Sequence, residues 1–477
     1  MWPFSAAKKT ARGLVRLIRA KFDMAQTTAE NRKHWANADG LSALSAANPE
    51  VRRILRNRSR YEVQQNSYAR GIVLTLANDV IGTGPRLQML TNNATANGLI
   101  EAEFAAWATA VDLAGKLRTM RMARAQDGEA FCAIVANPGV NHEVKLDLQT
   151  IEADQVASPQ MGNVPLNAID NDGITFDAYG NPVAYTVLTQ HPGDTQQGAI
   201  GQAREVSARW MIHWFRTDRP GQHRGLPDIL PALPLFAQLR RYTLAVIGAA
   251  ETAANVGVIM STTAPAGGEA AEVDPTTEME LARNAAVFMP EGWSATQIRA
   301  EQPTTTYAMF KGEILNEIAR CLNMPFNIAA CNSSSYNYAS GRMDHQTYYK
   351  SIRVDQAQCE AVVLDRILTA WLAEAGRVLD ELPALEQTGH QWFWEGHEHV
   401  DPAKEASAQA QRLTSNTTTL AAEYACLGRD WEAELNQRAK EVALLKKLGL
   451  SAPTVLPLPP DKEEEQSENE DEEAEQK

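Results

Sequence analysis

The chain has 477 residues, of which 44% are hydrophobic and 22% are charged, and these values are ordinary for a folded globular protein. Its five cysteines are odd in number and lack CxxC spacing, which argues against a disulfide framework and a zinc ribbon. A net charge of −14 argues against a nucleic-acid binder of the ordinary kind that uses a basic patch.

The charge is unevenly distributed along the chain. Residues 1–70 hold 14 lysines and arginines against 5 acidic residues, whereas residues 461–477 hold 10 acidic residues against 2 lysines. The basic segment 8–22 is either an amphipathic helix on an anionic membrane or part of a mobile arm. Its short apolar face favours the arm, which we place at 1–45. The Pro-rich and acidic tail, 451–477, has little to bury, so we expect disorder there. No segment looks like an export signal or membrane span, so we expect a soluble intracellular chain.

Residues 46–126 are predicted to be mainly helical. Apolar residues such as Val51 and Ile54 recur at helical spacing, and 101–126 has the same character. A Gly-Thr-Gly-Pro segment at 82–85 lacks the third glycine of a dinucleotide-binding loop. We therefore interpret this segment as a helix stop.

Residues 127–225 are predicted to be rich in β-strand. The run AFCAIVA at 130–136 suits a buried strand, and Val144, Leu146 and Leu148 alternate with polar residues as in a half-exposed strand. A turn-forming segment, DAYGNP, separates two more apolar runs. Further strands are expected at 173–176, 183–188 and 210–215.

Helical patterns return after residue 226. Residues 227–259 are apolar and Ala-rich, long enough for about six helical turns, and a polar interruption follows at 261–280. An apolar stripe from Phe310 to Leu322 predicts a helix that ends before Pro325. A long helix is predicted over about 342–377, inside a part that we place at 342–390, and further helices from 402 to 450.

An enzymatic alternative depends on three residues of the β-rich region. Glu143-Val144-Lys145 resembles the E-x-K of divalent-metal nucleases, and Asp127 lies sixteen residues before Glu143. A nuclease of this kind needs several carboxylates that converge on one cation. Such common residue types at loose spacing recur by chance, so we keep the nuclease as the alternative and predict no catalytic residue.

A second cluster could hold a metal ion by composition alone. It contains His390, His397 and His399, with Glu395 and Glu398 nearby. Zinc needs three or four converging ligands, but interleaved aromatic residues indicate a packed strand or turn. We interpret the histidines as structural and predict neither a metal site nor a cofactor.

Residues 331–341, with the sequence CNSSSYNYASG, form a polar loop between two amphipathic helical segments. Its small side chains and two tyrosines indicate a mobile loop or a linker. Pattern alone gives it no function.

Nine separated segments, in order between about residues 45 and 450, resemble the lambda-type family of tailed-phage portal proteins. In Phe310–Pro325, Asn323 stands where that family usually has glycine, and asparagine also adopts the left-handed cap conformation. Ala339 and Gly341 likewise replace other small residues. The segments are NSYARGIVLTLANDVIGTGPRLQ, RAQDGEAF, IEADQV, GITFDAYGNPVAY, HWF with RPGQHRG, Phe310–Pro325, NYASGR, VDPAKE and LGRD.

The resemblance implies an α+β portal fold with a β-rich wing, long stem helices, a small clip and a helical crown, assembled as a ring. A single elongated subunit then replaces the three domains that length alone predicts. The implied parts are the N-terminal helical part of the wing (46–126), the β-rich wing (127–225), the stem and clip region (226–330), the tunnel loop (331–341), the long helix (342–390) and the crown (391–450).

The resemblance also implies a function without catalysis. A ring, typically of twelve subunits, occupies one capsid vertex and forms the channel for packaging and ejecting double-stranded DNA. Its implied partners are the terminase large subunit, the major capsid protein or scaffold, and head-completion and tail proteins, with no membrane. We expect it in the virion, after assembly in the host cytoplasm. The residues implied to face DNA, without reading its sequence, are Asn332, Ser333, Ser334, Ser335, Tyr336 and Asn337.

Overall fold

A computed structural model describes residues 32–158, 172–194, 202–254, 258–262, 293–297, 306–334, 336–379, 389–396 and 402–450. Several predictions concern residues outside these ranges: most of the basic arm, most of the 261–280 interruption, Ser335, His397 with His399, and the tail. Within the described residues, no helix is both long and apolar enough to cross a bilayer.

The chain is a mixture of helices and antiparallel sheets, as predicted. The helices are α1 (Ala43–Ala46), α2 (Pro49–Gln65), α3 (Ser67–Ile81), α4 (Ala94–Ala110), α5 (Leu113–Asp127), α6 (Leu233–Ala254), α7 (Thr306–Arg320), α8 (Phe326–Ala330), α9 (Tyr338–Cys359), α10 (Asp365–Val378), α11 (Pro402–Thr414), α12 (Leu420–Cys426) and α13 (Trp431–Leu448). The strands are β1 (Arg86–Met89), β2 (Glu129–Ala136), β3 (Leu146–Ile151), β4 (Ile174–Phe176), β5 (Pro182–Leu188), β6 (Ala203–Ser207), β7 (Met211–Phe215), β8 (Val258–Thr262), β9 (Trp293–Gln297) and β10 (His390–Phe393).

Local capping chemistry explains where the N-terminal helices begin and end. The Gly82–Gly84 helix stop is confirmed, because α3 ends at Ile81 and both glycines have positive φ, 55° and 106°. The helical character expected over 101–126 is confirmed, and it is divided between two helices. Asp112 adopts a left-handed conformation (φ 51°) and accepts a hydrogen bond from the Gly115 N–H at 3.2 Å, so α4 ends and α5 begins there.

Two three-stranded antiparallel sheets form the β-rich region, in the orders β3-β2-β7 and β4-β5-β6. Successive side chains of β2 point to opposite faces of its sheet. Cys132 and Ile134 therefore join the main core, while Phe131 and Ala133 join a smaller core that includes Tyr185 of β5. Strand β2 is thus buried on both faces, which explains its unbroken apolar sequence.

An aromatic cluster lies in the main core and joins distant parts of the chain. Phe104 and Trp107 of α4 meet Trp371 of α10 and Trp392 of β10, with ring centroids 5.3–6.4 Å apart. The Trp107 indole N–H donates to the Leu146 carbonyl at 2.8 Å. Such partly polar aromatic side chains are stable in a core when the N–H has a partner.

The long helix predicted over about 342–377 is confirmed, although it begins four residues earlier than expected. Helix α9, one π-helical turn (Glu360–Leu364) and α10 run without a break from Tyr338 to Val378. Strand β10 then pairs antiparallel with β1, in the register Arg86↔Phe393. The segment 391–450 therefore begins in a strand, because Trp392 and Phe393 are buried against the N-terminal region, and its helices begin at Pro402.

Candidate channel loop and buried ionic network

The predicted DNA-facing loop connects α8 to α9 and is held at both ends. Cys331 is left-handed (φ 51°) and ends α8, and the Asn332 N–H donates to the Asn327 carbonyl at 3.0 Å. At the other end, the Asn337 side chain accepts from the Ser340 N–H at 2.8 Å and caps α9. The loop is therefore a short, anchored connection.

The side chains of this loop are mainly exposed and carry no charge. Asn332, Ser333, Ser334 and Asn337 are exposed, whereas Tyr336 is half-buried against Gly341. The segment 331–341 contains no acidic or basic residue. Hydroxyl and amide groups of this kind can contact a phosphate backbone without reading sequence.

The helices that flank the loop are fixed to each other. His345 of α9 lies 3.0 Å from the Asn327 amide nitrogen of α8 and 3.3 Å from its oxygen. Asn323 adopts φ 53° at the preceding helix end, which agrees with its expected role as a substitute for glycine. These contacts place the loop at the N-terminus of the long helix.

The nuclease alternative does not fit the strand register. Asp127 lies two residues before the start of β2. Glu143 and Lys145 lie before β3, whose first residue pairs with Ala136 at the opposite end of β2. Seven strand steps separate these ends by about 23 Å, too far to share one cation. The Asp127 carboxylate instead accepts from Arg60 Nε at 2.6 Å, and the Lys145 ammonium donates to the Val140 carbonyl.

The histidine cluster is described only in part. His390 Nε2 lies 3.0 Å from an Asp365 carboxylate oxygen that also accepts from the Trp392 indole at 2.9 Å. His390 thus joins β10 to α10, which agrees with a structural role.

One group in the described chain, Glu152, Asp154 and His191, brings three possible metal ligands together. The Arg60 guanidinium lies 2.8 Å from Asp154 and 3.5 Å from Glu152. A guanidinium there neutralises the carboxylates that would otherwise attract a cation, so we assign this group to an ion-pair network.

The centre of that network is Glu129, which sequence reasoning missed. Its carboxylate is fully buried, and its two oxygens share the Arg224 Nε–H, at 2.9 and 3.0 Å from the nitrogen. One of them also accepts from Arg224 Nη2 at 2.7 Å. Arg56 lies at 3.3 Å, His213 Nε2 at 3.1 Å and the Gly225 N–H at 3.0 Å. The glutamate of the Asp-Gly-Glu motif is therefore neutralised by the arginine of RPGQHRG, with Arg56 beside it, and is contacted by the histidine of HWF.

The two glycines beside this pair allow the backbones to meet. A Cβ on Gly225 would lie 2.0 Å from the Gly128 carbonyl oxygen, and a Cβ on Gly128 would lie 2.4 Å from the Leu226 backbone. Gly128 also has φ 93°. The close approach of the two backbones thus explains Gly128 and Gly225, and the ion pair explains Glu129 and Arg224.

Burial and pairing act in opposite directions on the pKa values of this network. Burial alone would raise the pKa of Glu129, but Arg224 and His213 outweigh it and hold that pKa well below its usual value. Burial lowers the pKa of His213 in spite of the opposing effect of Glu129. His213 is therefore a neutral imidazole at neutral pH, stacked between Phe131 and Phe215.

We expect His213 to contribute a fall of up to about 2 kcal/mol in the free energy of unfolding between pH 7 and pH 5. The His213→Gln variant should therefore lose less stability over the same pH range. The unfolded histidine takes up a proton below about pH 6.5, whereas folded His213 resists it, so this contribution is lost as the pH falls. Glu129 adds its loss only at more acidic pH, because the unfolded glutamate takes up a proton only near its ordinary pKa of about 4.3, whereas the pKa of folded Glu129 is held below that value. Urea titrations of both chains at pH 7 and 5, at one protein concentration, measure the difference; parallel losses would contradict the assignment.

A second buried network joins α5 to the long helix. Arg121 contacts Asp228 at 3.0 Å and Asp355 of α9 at 2.8 Å, and Arg124 contacts the same Asp355 at 3.1 Å. Burial would raise the pKa of Asp355, but the two arginines outweigh it and lower that pKa. The Gln358 side chain, which accepts from Arg124, donates to the Phe215 carbonyl of β7 at 3.0 Å. The β-rich region is thus tied to the helix that begins at the loop.

Comparison with known proteins agrees with the sequence motifs. Residues 30–356 match the model of a family described as phage portal protein, lambda family. The chain is 23% identical over 468 residues to a probable portal protein of Halomonas phage phiHAP-1, covering 91% of this chain and 88% of that protein.

Solved structures are similar only at low identity. A chain from the neck of a native GTA particle, computed with C12 symmetry, is 12% identical with a TM-score of 0.46, over 80% of this chain and 94% of that one. An HK97 family phage portal protein from Corynebacterium diphtheriae is 13% identical with a TM-score of 0.32, over 73% and 98%. The family match spans most of the chain, and the chain belongs to the lambda family of phage portal proteins.

Proposed function

We propose that this chain forms a ring, typically of twelve subunits, at one vertex of a phage capsid. The ring is the channel through which double-stranded DNA is packaged and ejected. It also docks the terminase large subunit, the major capsid protein or scaffold, and the head-completion and tail proteins. The observation that carries this proposal is the family match over residues 30–356.

The properties of the 332–337 loop support its assignment to the channel. DNA that slides must not be bound tightly, and each lysine or arginine that contacts a phosphate adds affinity through counterion release. The loop contains no charged residue, and the chain as a whole carries −14. An uncharged, exposed loop anchored between two helices can touch DNA weakly, without the phosphate ion pairs that would hold the duplex in place.

Exposed apolar side chains on α6 and α7 support contacts between subunits. Leu244 and Ile247 of α6 are 59% and 49% exposed, and Met309 and Phe310 of α7 are 74% and 50% exposed. The two helices contact each other through Tyr242 and Phe310, whose rings are 5.0 Å apart. A neighbouring copy in a closed ring would cover such a face.

The same proposal gives the protein a location and a role without catalysis. The protein resides at the portal vertex of the virion and is assembled there from the host cytoplasm. It hydrolyses neither DNA nor nucleotide, and energy for packaging comes from the terminase that it docks. The nuclease alternative is disfavoured because its three residues lie at opposite ends of β2.

Native mass spectrometry and negative-stain microscopy of the full chain test the assembly. We expect closed rings of about twelve copies, because heterologous contacts generate rings when the rotation closes. Replacing both Leu244 and Met309 by glutamate should shift the population towards smaller species, whereas Leu90→Glu, at an exposed residue (54%) beyond β1, serves as the control. A stable monomer or dimer of the unchanged chain would refute the proposal.

A further inference from the structure

A groove of about 930 Å³ lies beside the β-rich region, away from the loop and from both ionic networks. It is formed by the C-terminal half of β2, strand β6 with the turn that follows it, and helix α10.

Four arginines surround this groove: Arg204, Arg209, Arg366 and Arg377. In the described part of the chain none of them forms an ion pair with a carboxylate; three donate to neutral groups, such as Arg204 to the Gln149 side chain at 2.8 Å. Of the two acidic residues in the lining, Glu374 already accepts from the Lys145 N–H at 2.6 Å. The groove therefore carries excess positive charge on a chain whose net charge is strongly negative.

The groove also offers an apolar surface with room for an extended segment. Trp210 is 42% exposed, and the Arg209 guanidinium lies 4.9 Å from its ring centroid. The pairing of β2 with β7 ends at Ala133, so residues 134–136 have a strand neighbour on the β3 side only. Strand β6 is itself an edge strand of its sheet. An aromatic side chain between two open strand edges suits an extended occupant.

We propose that the occupant is the C-terminal segment of this chain, residues 453–475. It begins PTVLPLPP, an apolar sequence whose four prolines favour the polyproline II conformation that aromatic-lined grooves bind. The run that follows, DKEEEQSENEDEEAE, contains ten acidic residues and one lysine. The Pro-rich part contacts Trp210 and the acidic part neutralises the four arginines. This inference does not depend on the ring.

Photo-crosslinking in the full chain tests the proposal. A p-benzoylphenylalanine in place of Leu458 should crosslink to residues 203–210 or 366–377, as identified by mass spectrometry, whether the target lies in the same copy or in another. Arg204→Glu with Arg377→Glu should lower the crosslink yield about tenfold. Trp210→Ala should also lower it, and 0.5 M salt should weaken the charge-dependent part.

The matched control reverses two arginines outside the groove, Arg219 and Arg353, both exposed, and should leave the yield unchanged. Cleavage of the tail by a glutamate-specific protease gives a second measurement: we expect it to be about tenfold faster in the Arg204→Glu, Arg377→Glu chain than in the control. Crosslinks to another surface, no crosslinks, or an unchanged yield after the charge reversal would each overturn the proposal.

Discussion

Replacing Arg224 by methionine is expected to lower the free energy of unfolding by about 3–5 kcal/mol, because it leaves the buried Glu129 carboxylate without its main counterion. Arg224 is 1% exposed and also donates to the carbonyls of Ala153, Val156 and Asp172. Its loss therefore leaves several buried acceptors unpaired as well as one charge. Urea unfolding of both chains at pH 7 and equal concentration measures the effect.

Arg219→Met is the control for this substitution. Arg219 lies in the same segment but is exposed, and its guanidinium donates to the Leu41 carbonyl at 3.1 Å, so its replacement should change stability by less than about 0.5 kcal/mol. Adding Glu129→Gln to Arg224→Met should restore part of the lost stability, because the unpaired charge is then absent. Equal stability of Arg224→Met and the unchanged chain would show that Arg56 suffices to neutralise Glu129.

Helix α2 shows why sequence reasoning could not find this network. Its apolar residues Val51 and Ile54 predict a helix correctly but indicate the wrong buried face. The buried residues of α2 are Arg52, Arg56, Ser59, Glu62 and Val63, and Ile54 is 38% exposed. Hydrophobic periodicity assumes that a charged residue faces water. Here acidic partners from distant segments reverse that rule, because Asp154 and Glu129 both meet Arg56.

The sequence of α2 does contain a pattern that marks its buried face, although the pattern consists of charged residues and not of apolar ones. Arg52, Arg56 and Arg60 recur every four residues, which places three guanidinium groups on one side of a helix. Such a row normally indicates a solvated face. Only the fold shows that Asp172, Glu129 and Asp127 meet these arginines in turn, because those partners are 67 or more residues away.

Strands with apolar runs were easier to predict than the pairing of strands that are distant in the chain. Strands such as β2 and β5 have apolar runs and turn signals that act locally, so short windows of sequence suffice. The pairing of β10 with β1, by contrast, joins residues about 300 positions apart. No local pattern encodes that pairing, and the same limit applies to the edge strand β6, which is mainly exposed and polar.

The loop itself could be located from sequence, whereas its anchoring could not. Small polar residues between two amphipathic helices predict a loop at 331–341. The structure shortens it, because residues 338–341 form the first turn of α9. The Asn337 cap agrees with the usual preference at helix N-termini. The contact between His345 and Asn327, by contrast, depends on how α8 packs against α9. The sequence therefore predicts the polar, uncharged character of the loop, whereas its anchoring depends on how the flanking helices pack.

Deleting Ser333–Tyr336 is expected to leave ring assembly intact and to reduce nuclease-protected DNA in assembled particles by about tenfold. The DNA content falls because the deletion removes the polar groups that would contact the phosphate backbone of the DNA. The anchors lie outside the deletion: Asn337 caps α9, and His345 contacts Asn327. The helices should therefore keep their packing. Ring formation is measured by native mass spectrometry, and DNA content by quantitative amplification after nuclease treatment.

A variant of equal length separates the role of the side chains from that of the loop length. Replacing residues 333–336 by four alanines keeps the connection but removes the hydroxyl groups and the Tyr336 ring. If these groups contact DNA, the alanine variant should lose packaged or retained DNA as the deletion does. If loop length alone matters, the alanine variant should package normally. Normal DNA content in the deletion variant would show that 332–337 does not face DNA. A loop that contacts the duplex cannot lose its contacting groups without an effect on packaging or retention.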